Sequence, residues 1–371
     1  MKFSADRKSL SEVLAQVQGI CGRKTNLAIT SDVLIKVAGS EVVIMANDLE
    51  TVFQGQYEAE VESDGIISIN AKKLYEIIRE YPDALVPLNE IENRWVEIGK
   101  DNIQYHIVSS DYDNFPETPL IEDIPFVEIE SAALKKMVEV SSMIGFSSDE
   151  KRIYVLGALL EKVVDDKGEC LRMVSTDSRR LNCYDATYEG EFIVPDENII
   201  IPKKGLSELG KFLDREGTVK IGIKEDHFIV QKRNETMMIK LLEGDYPDYR
   251  RVINTEQMTP VEMDRTMLLM VMRRISILSS DDYKSVMFNF KENQLVVTIT
   301  NPEIGESKEE ITIGYGGDPF ESAFNPRYFI DALNAVDSST VVLNVKGTKN
   351  PCIIKGLDDE KLVCAIMAMS V

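Results

Sequence analysis

Lys72, Lys204 and Arg327 occupy one column of a repeat, each two residues before the first large apolar residue of an apolar-x-acidic-apolar core. The three cores are Leu74-Tyr75-Glu76-Ile77, Leu206-Ser207-Glu208-Leu209 and Phe329-Ile330-Asp331-Ala332. A helix N-terminus favours acids, so lysines placed there (Lys72, Lys203, Lys204) need another reason. Neutralising phosphate is one reason, and a solvated helix start is the bland alternative. Other chemistry has little material. There are two histidines, His106 and His227, and no P-loop, dinucleotide fingerprint or G-x-S-x-G. Asp177 with Arg179 and Arg180 would suit phosphate handling, and a single histidine of the Ser-His-Asp kind stays open. Cys21, Cys170, Cys183, Cys352 and Cys364 are scattered without C-x-x-C, which argues for reduced thiols and against disulfides or zinc. The expectation is a protein that is not an enzyme and carries no metal or cofactor.

The net charge of −21 opposes nucleic-acid binding until its distribution is examined. Six helical windows (6–24, 71–81, 130–145, 201–216, 264–279, 325–335) hold 17 Lys and Arg against 11 Asp and Glu. The remainder holds 25 basic and 52 acidic residues. A mildly basic set of helices within an acidic chain can meet phosphate on one face while the rest repels it.

The elements that must carry these charges follow one order three times. Leu10, Val13, Leu14 and Val17 mark the buried stripe of a first helix from Asp6 to Ile20. Leu134 restarts it 124 residues on, and Leu268 another 134 residues later. The second helix recurs with separations of 132 and 123, from Leu74 to Leu206 to Phe329. Between them run β-branched strands such as Val33–Val37 and Val42–Ala46, a pair joined through Gly39-Ser40. Polar strand ends recur at Asn47-Asp48, Thr176-Asp177 and Asn301-Pro302. Apolar periodicity lapses in the connectors Phe115 to Pro125 and Tyr246 to Pro260. The fold class expected is α+β, as three tandem similar domains at 1–120, 125–250 and 256–371, each with two helices packed on antiparallel sheet. Three such repeats suggest a curved or closed shape. With neither a secretory leader nor a membrane-length apolar run, a cytoplasmic location is expected.

Several stretches together resemble the bacterial DNA polymerase III beta subunit, the replicative sliding clamp. They are Met1-Lys2-Phe3, Asn47-Asp48-Leu49-Glu50, Thr176-Asp177-Ser178-Arg179-Arg180-Leu181, Ile201-Pro202-Lys203-Lys204-Gly205, Glu243 to Val252, and Phe324-Asn325-Pro326. The resemblance spans the chain. It implies a head-to-tail homodimer that closes as a ring around double-stranded DNA and tethers the replicative polymerase, the clamp loader and other proteins bearing a clamp-binding motif, with no membrane partner.

It also implies site residues. DNA contacts would be Arg23, Lys24, Lys72, Lys73, Arg152, Tyr154, Lys203 and Lys204, all to phosphate and without base preference. A partner-peptide groove would use Val155, Thr176, Arg180, Leu181, Pro247, Val252, Pro351, Met367 and Met369. The dimer joint would bring Ile78, Tyr105 and Ile107 of one subunit against Ile277 and Leu278 of the other. Core packing within one subunit is the alternative for the joint residues and for the methionines. The tail Met367-Ala368-Met369-Ser370-Val371 departs from the family's frequent Met-Pro-Met-Arg-Leu, and Asn254 replaces a common proline. An interaction scaffold that does not bind DNA is the competing reading.

Overall fold

The apolar stripes become helices where a polar side chain can close the first turn. Asp6 accepts from Ser9 N at 2.8 Å to start α1 (Arg7–Cys21), and its Leu10, Val13, Leu14 and Val17 are buried. Asn70 does the same for α2 (Ala71–Glu80) through Lys73 N. Then come α3 (Ser131–Ser142), the single turn α4 (Ile153–Leu156) and α5 (Lys203–Phe212). Asp264 caps α6 (Arg265–Ile275), and Asn325 with Pro326 in the first turn caps α7 (Pro326–Ala335). The computed structural model describes residues 1–22, 28–119, 121–145, 152–165, 168–193, 195, 197–280 and 282–370. Among these, no helix is long and apolar enough to cross a membrane.

The chain divides into two compact units, one of residues 1–135 with 188–242, the other of residues 136–187 with 243–371. The central third is therefore shared: Val127–Glu130 and the strands from residue 188 on belong with the first third of the chain, and the strands between them with the last.

In the first unit a nine-stranded antiparallel sheet runs Tyr188–Glu189, Val127–Glu130, Thr218–Lys224, His227–Lys232, Glu235–Lys240, Thr51–Glu58, Glu41–Asn47, Asp32–Ala38, Gly65–Asn70. Its seam between distant parts of the sequence pairs Val52 with Met238. A second sheet orders Glu60–Ser63, Lys2–Asp6, Leu85–Glu90, Trp95–Lys100 and Ile103–Val108. The last of these is an edge strand with side chains exposed on both faces.

In the second unit seven strands follow one another as Gly157–Asp165, Gly168–Thr176, Arg180–Ala186, Leu362–Ile366, Cys352–Gly356, Thr340–Val345 and Thr259–Asp264. Four more form Gly305–Thr312, Gln294–Asn301, Val286–Lys291 and Phe320–Phe324. Phe288, Phe324 and Phe329 meet at centroid distances of 4.9–5.4 Å in its core. The connectors around 116–126 and 246–258 carry no strand or α-helix among the described residues.

Candidate partner groove and basic helices

The strand Gly168–Thr176 ends in a turn that its own side chains hold. Thr176 Oγ1 accepts from Ser178 N at 3.1 Å and donates to Arg180 O at 2.8 Å. Asp177 Oδ1 accepts from the amides of Arg179 and Arg180, both at 2.9 Å. These bonds hold Ser178 at φ 72, a conformation side chains disfavour without such support.

The turn aims Arg180 into a closed set of partners. Its guanidinium donates through Nε to Asp177 Oδ2 at 3.1 Å, to Asp331 Oδ2 of α7 at 2.5 Å, and to Met143 O at 2.9 Å. It also lies 4.4 Å from the ring centroid of Tyr328. A cation so committed is a fixed wall, not a free anion receptor.

Beside it opens a cavity of about 210 Å3 lined by Tyr154, Thr176, Ser178, Arg180, Leu181, Pro247, Asp248, Tyr249, Val252 and Met367. Its opposite wall is tied down: Tyr246 donates to Val174 O at 3.0 Å, and Tyr249 to Glu161, which also takes Arg250 at 2.7 Å. Burial first, then the Glu161 carboxylate, pushes the Tyr249 phenol above its usual range, so it stays a neutral donor. Just before the connector, Gly244 has φ +155, a conformation that side chains rarely adopt, and a Cβ there would press on Ile153 Cδ1 at 2.6 Å. Met367 is held by its amide on Arg179 O at 2.9 Å, and Met369 by its amide on Ala323 O at 2.8 Å.

Six of the nine groove residues expected from the sequence thus share one cavity: Thr176, Arg180, Leu181, Pro247, Val252 and Met367. Val155 is buried, and Pro351 and Met369 are half-buried outside that lining. Tyr154, expected at DNA, lines this cavity, with Arg152 bonded to it at 3.3 Å and to Ser178 Oγ at 2.9 Å. The sequence reading missed Asp331 and Tyr328, which position Arg180. The column of Glu76, Glu208 and Asp331 carried a signal for the first, and nothing singled out the second.

The basic residues fare unevenly. Lys72 and Lys73 are exposed at the start of α2, with Lys73 on Glu76 at 2.9 Å. Lys203 must be corrected: it is 2 % exposed, so its ammonium is not offered to a phosphate in this conformation. Lys204 reaches Asp48 and Glu50, each at 2.6 Å. Arg23 and Lys24 lie outside the described residues, as does Val371. Ile78 is likewise corrected from joint to core, at 0 % exposure on the inner stripe of α2. Tyr105 is 42 % and Ile277 74 % exposed, while Ile107 and Leu278 are half-buried. Among the described residues, no group of three or more His, Cys, Asp or Glu is placed to hold a metal ion.

Three tandem repeats of helices on antiparallel sheet, with this groove between turn, connector and tail, define the class of DNA clamps. Family models cover nearly all of the chain: the N-terminal domain of the DNA polymerase III beta subunit matches residues 1–119, the central domain 128–248 and the C-terminal domain 250–370. The chain belongs to the DNA polymerase III beta subunit family, whose members are DNA sliding clamps. Beta sliding clamps of Pseudomonas putida and Haemophilus influenzae are 29% and 28% identical over 380 and 374 residues, each covering 100% of both chains. Among solved structures, the clamp of Bartonella birtlesii bound to griselimycin matches with TM-score 0.91 and 26% identity over 100% of both chains. The Bacillus subtilis clamp gives TM-score 0.91 at 24% identity, over 100% of this chain and 99% of that one, a likeness of fold.

Proposed function

We propose that this chain works as a head-to-tail homodimer whose ring encircles duplex DNA and carries partner proteins in the groove beside Met367. The observation that carries the reading is the groove itself: a largely apolar cavity in which the Arg180 cation is already satisfied, suited to Leu and Phe side chains of a short peptide. Methionine gives that wall the adaptability a shared docking site needs. The replicative polymerase and the clamp loader are the expected partners, and chemistry resides in them. The chain itself neither hydrolyses nor transfers phosphate, which nuclease and phosphatase assays with magnesium check. Domain limits at 1–120, 125–250 and 256–371 and a cytoplasmic location belong to the same reading.

DNA contact falls to Lys72 and Lys73 with Arg23 and Lys24, by phosphate and therefore with strong salt dependence. Lys204 joins them only by leaving Asp48 and Glu50. The ring joint is the exposed edge Ile103–Val108, with Tyr105 and Ile107, against Ile277 and Leu278 of a second copy. Trp95, the single tryptophan, pairs with Val108 beside that edge and is 40 % exposed. Its emission should shift to the blue as concentration drives dimer formation, and a spectrum unchanged from nanomolar to micromolar protein would count against the joint.

The central test is deletion of Met367 to Val371. Fluorescence anisotropy should then show binding of a Leu/Phe-anchored peptide abolished, while sedimentation still finds the dimer. Undiminished peptide affinity would sink the assignment.

A further inference from the structure

The first unit holds an open cavity of about 600 Å3 that includes none of the groove residues and none of the basic residues described above. It lies along the N-terminal half of α1, where Leu10 and Val13 face Val42, Ile44 and Tyr57. Its rim carries Asp6, Glu41 and Glu58, and among the described residues no lysine or arginine lines it. Asp6 is engaged by Ser9 and Glu41 by Gln56 Nε2 at 2.6 Å, both neutral donors, with Arg7 and Lys8 the cations that act on Asp6.

A second pocket of about 370 Å3 shares Ser9, Val13, Tyr57 and Asn234 with the first, so the two form one trough along α1. Tyr57 stands where they join, its hydroxyl donating to Glu235 Oε1 at 2.8 Å. The second pocket is lined by Gln16, whose Nε2 is buried without a hydrogen-bond partner, and by Lys211, Lys232 and Arg233, which are ion-paired with Glu208, Asp214 and Glu235, so the acidic rim without a basic lining residue is that of the first cavity. A buried amide donor left unmade is costly, and it points to an acceptor supplied from outside.

The three features select one kind of occupant. Apolar walls of this size take a large apolar side chain, the carboxylate rim takes a cation next to it, and the orphan amide takes a carbonyl. Backbone carbonyls accompany side chains in a polypeptide. We propose that this trough docks a segment of a partner protein in which a large apolar residue adjoins lysine or arginine.

Methyl NMR of the full-length chain, with leucine and valine methyls labelled, tests this using acetyl-Phe-Lys-Arg-amide and acetyl-Phe-Glu-Glu-amide as probes. The basic peptide should shift the methyls of Leu10, Val13 and Val42 and bind roughly ten-fold more tightly than the acidic one, as charge complementarity requires. Val13→Trp, which fills the trough, should abolish the shifts. The exposed pair Glu41→Lys with Glu58→Lys leaves the apolar walls unchanged and should invert the preference. Deletion of Met367 to Val371 should leave this binding intact, which separates it from the groove. Equal shifts with both peptides, no shifts at millimolar probe, or a preference indifferent to the rim reversal would each overturn the proposal.

Discussion

In the first unit the strand Glu235–Lys240 lies against Thr51–Glu58 with Met238 opposite Val52; in the second, Leu362–Ile366 lies against Arg180–Ala186 with Ala365 opposite Leu181. The main chains then repeat bond for bond. Lys240 N donates to Glu50 O at 2.8 Å and Leu242 N to Ile200 O at 2.9 Å. Met367 N donates to Arg179 O at 2.9 Å and Met369 N to Ala323 O at 2.8 Å. Both turns hold their third residue at positive φ, Leu49 at 75 and Ser178 at 72. Asp48, like Asp177, accepts from the amides two and three residues on.

The side chains part company. In the first unit Lys204 closes the turn onto Asp48 and Glu50, and Ile121, Ile124 and Phe126 of the connector pack against Val52, Ile229 and Met238. In the second, Ala365 stands at the place of Met238, Arg180 at that of Thr51, and the connector forms a wall, leaving a cavity. A shared backbone frame therefore does not make a groove. A smaller residue, a tethered arginine and a connector held by its tyrosines do.

The largest expected effect breaks the closed seam. Lys204→Met strands the Asp48 carboxylate, whose side chain is 0 % exposed, and should destabilise the first unit by about 3 kcal/mol. Urea unfolding followed by circular dichroism would read it, and a loss under about 1 kcal/mol would mean the ion triad does not close the seam. At the open seam the analogous change should spare stability. Asp331→Ala removes a partly exposed partner of Arg180 and should cost less than about 1 kcal/mol. Its mark should be a peptide affinity lowered roughly five-fold, as the wall loses its fixed position. Affinity unchanged in anisotropy would leave Arg180 positioned without Asp331.

The smallest effect sharpens the comparison without substitution. Cys183 and Cys364 lie on the two strands of the open seam, and burial raises both thiols, that of Cys364 to about 12. A raised thiol pKa means little thiolate at pH 8, so both should resist iodoacetamide while half-buried Cys170 reacts. Mass spectrometry of pulse-labelled protein should show Cys364 slower still with groove peptide bound. Fast labelling of Cys364 would indicate that this seam opens freely.

Much of this architecture was legible. The stripes Leu10-Val13-Leu14-Val17 and Leu74-Ile77-Ile78 became helices because a 3.6-residue period states which face is buried. The polar strand ends became turns because Asn, Asp and Thr oxygens bond the amides that follow. Destinations were not legible. Periodicity places Ile78 on an apolar face without saying whether its own core or another chain covers it, and the core does. A charged column locates Lys203 and Lys204 at a helix start without revealing that one is interior and the other already paired. Of the groove residues that the resemblance implied, Thr176, Arg180 and Leu181 sit together in sequence and line one cavity. Asp331 and Tyr328 reach Arg180 only through the pairing of distant strands.

The paired turns at Leu49 and Ser178 carry a consequence for descent. Bonds made by main-chain atoms, and by one short polar side chain, survive almost any exchange at the other positions. A gene segment copied within a chain can keep such a frame while its copies drift, one toward a filled interior and one toward an open cavity. Specialisation here needed no new fold, only the freedom of one copy to stop packing against itself.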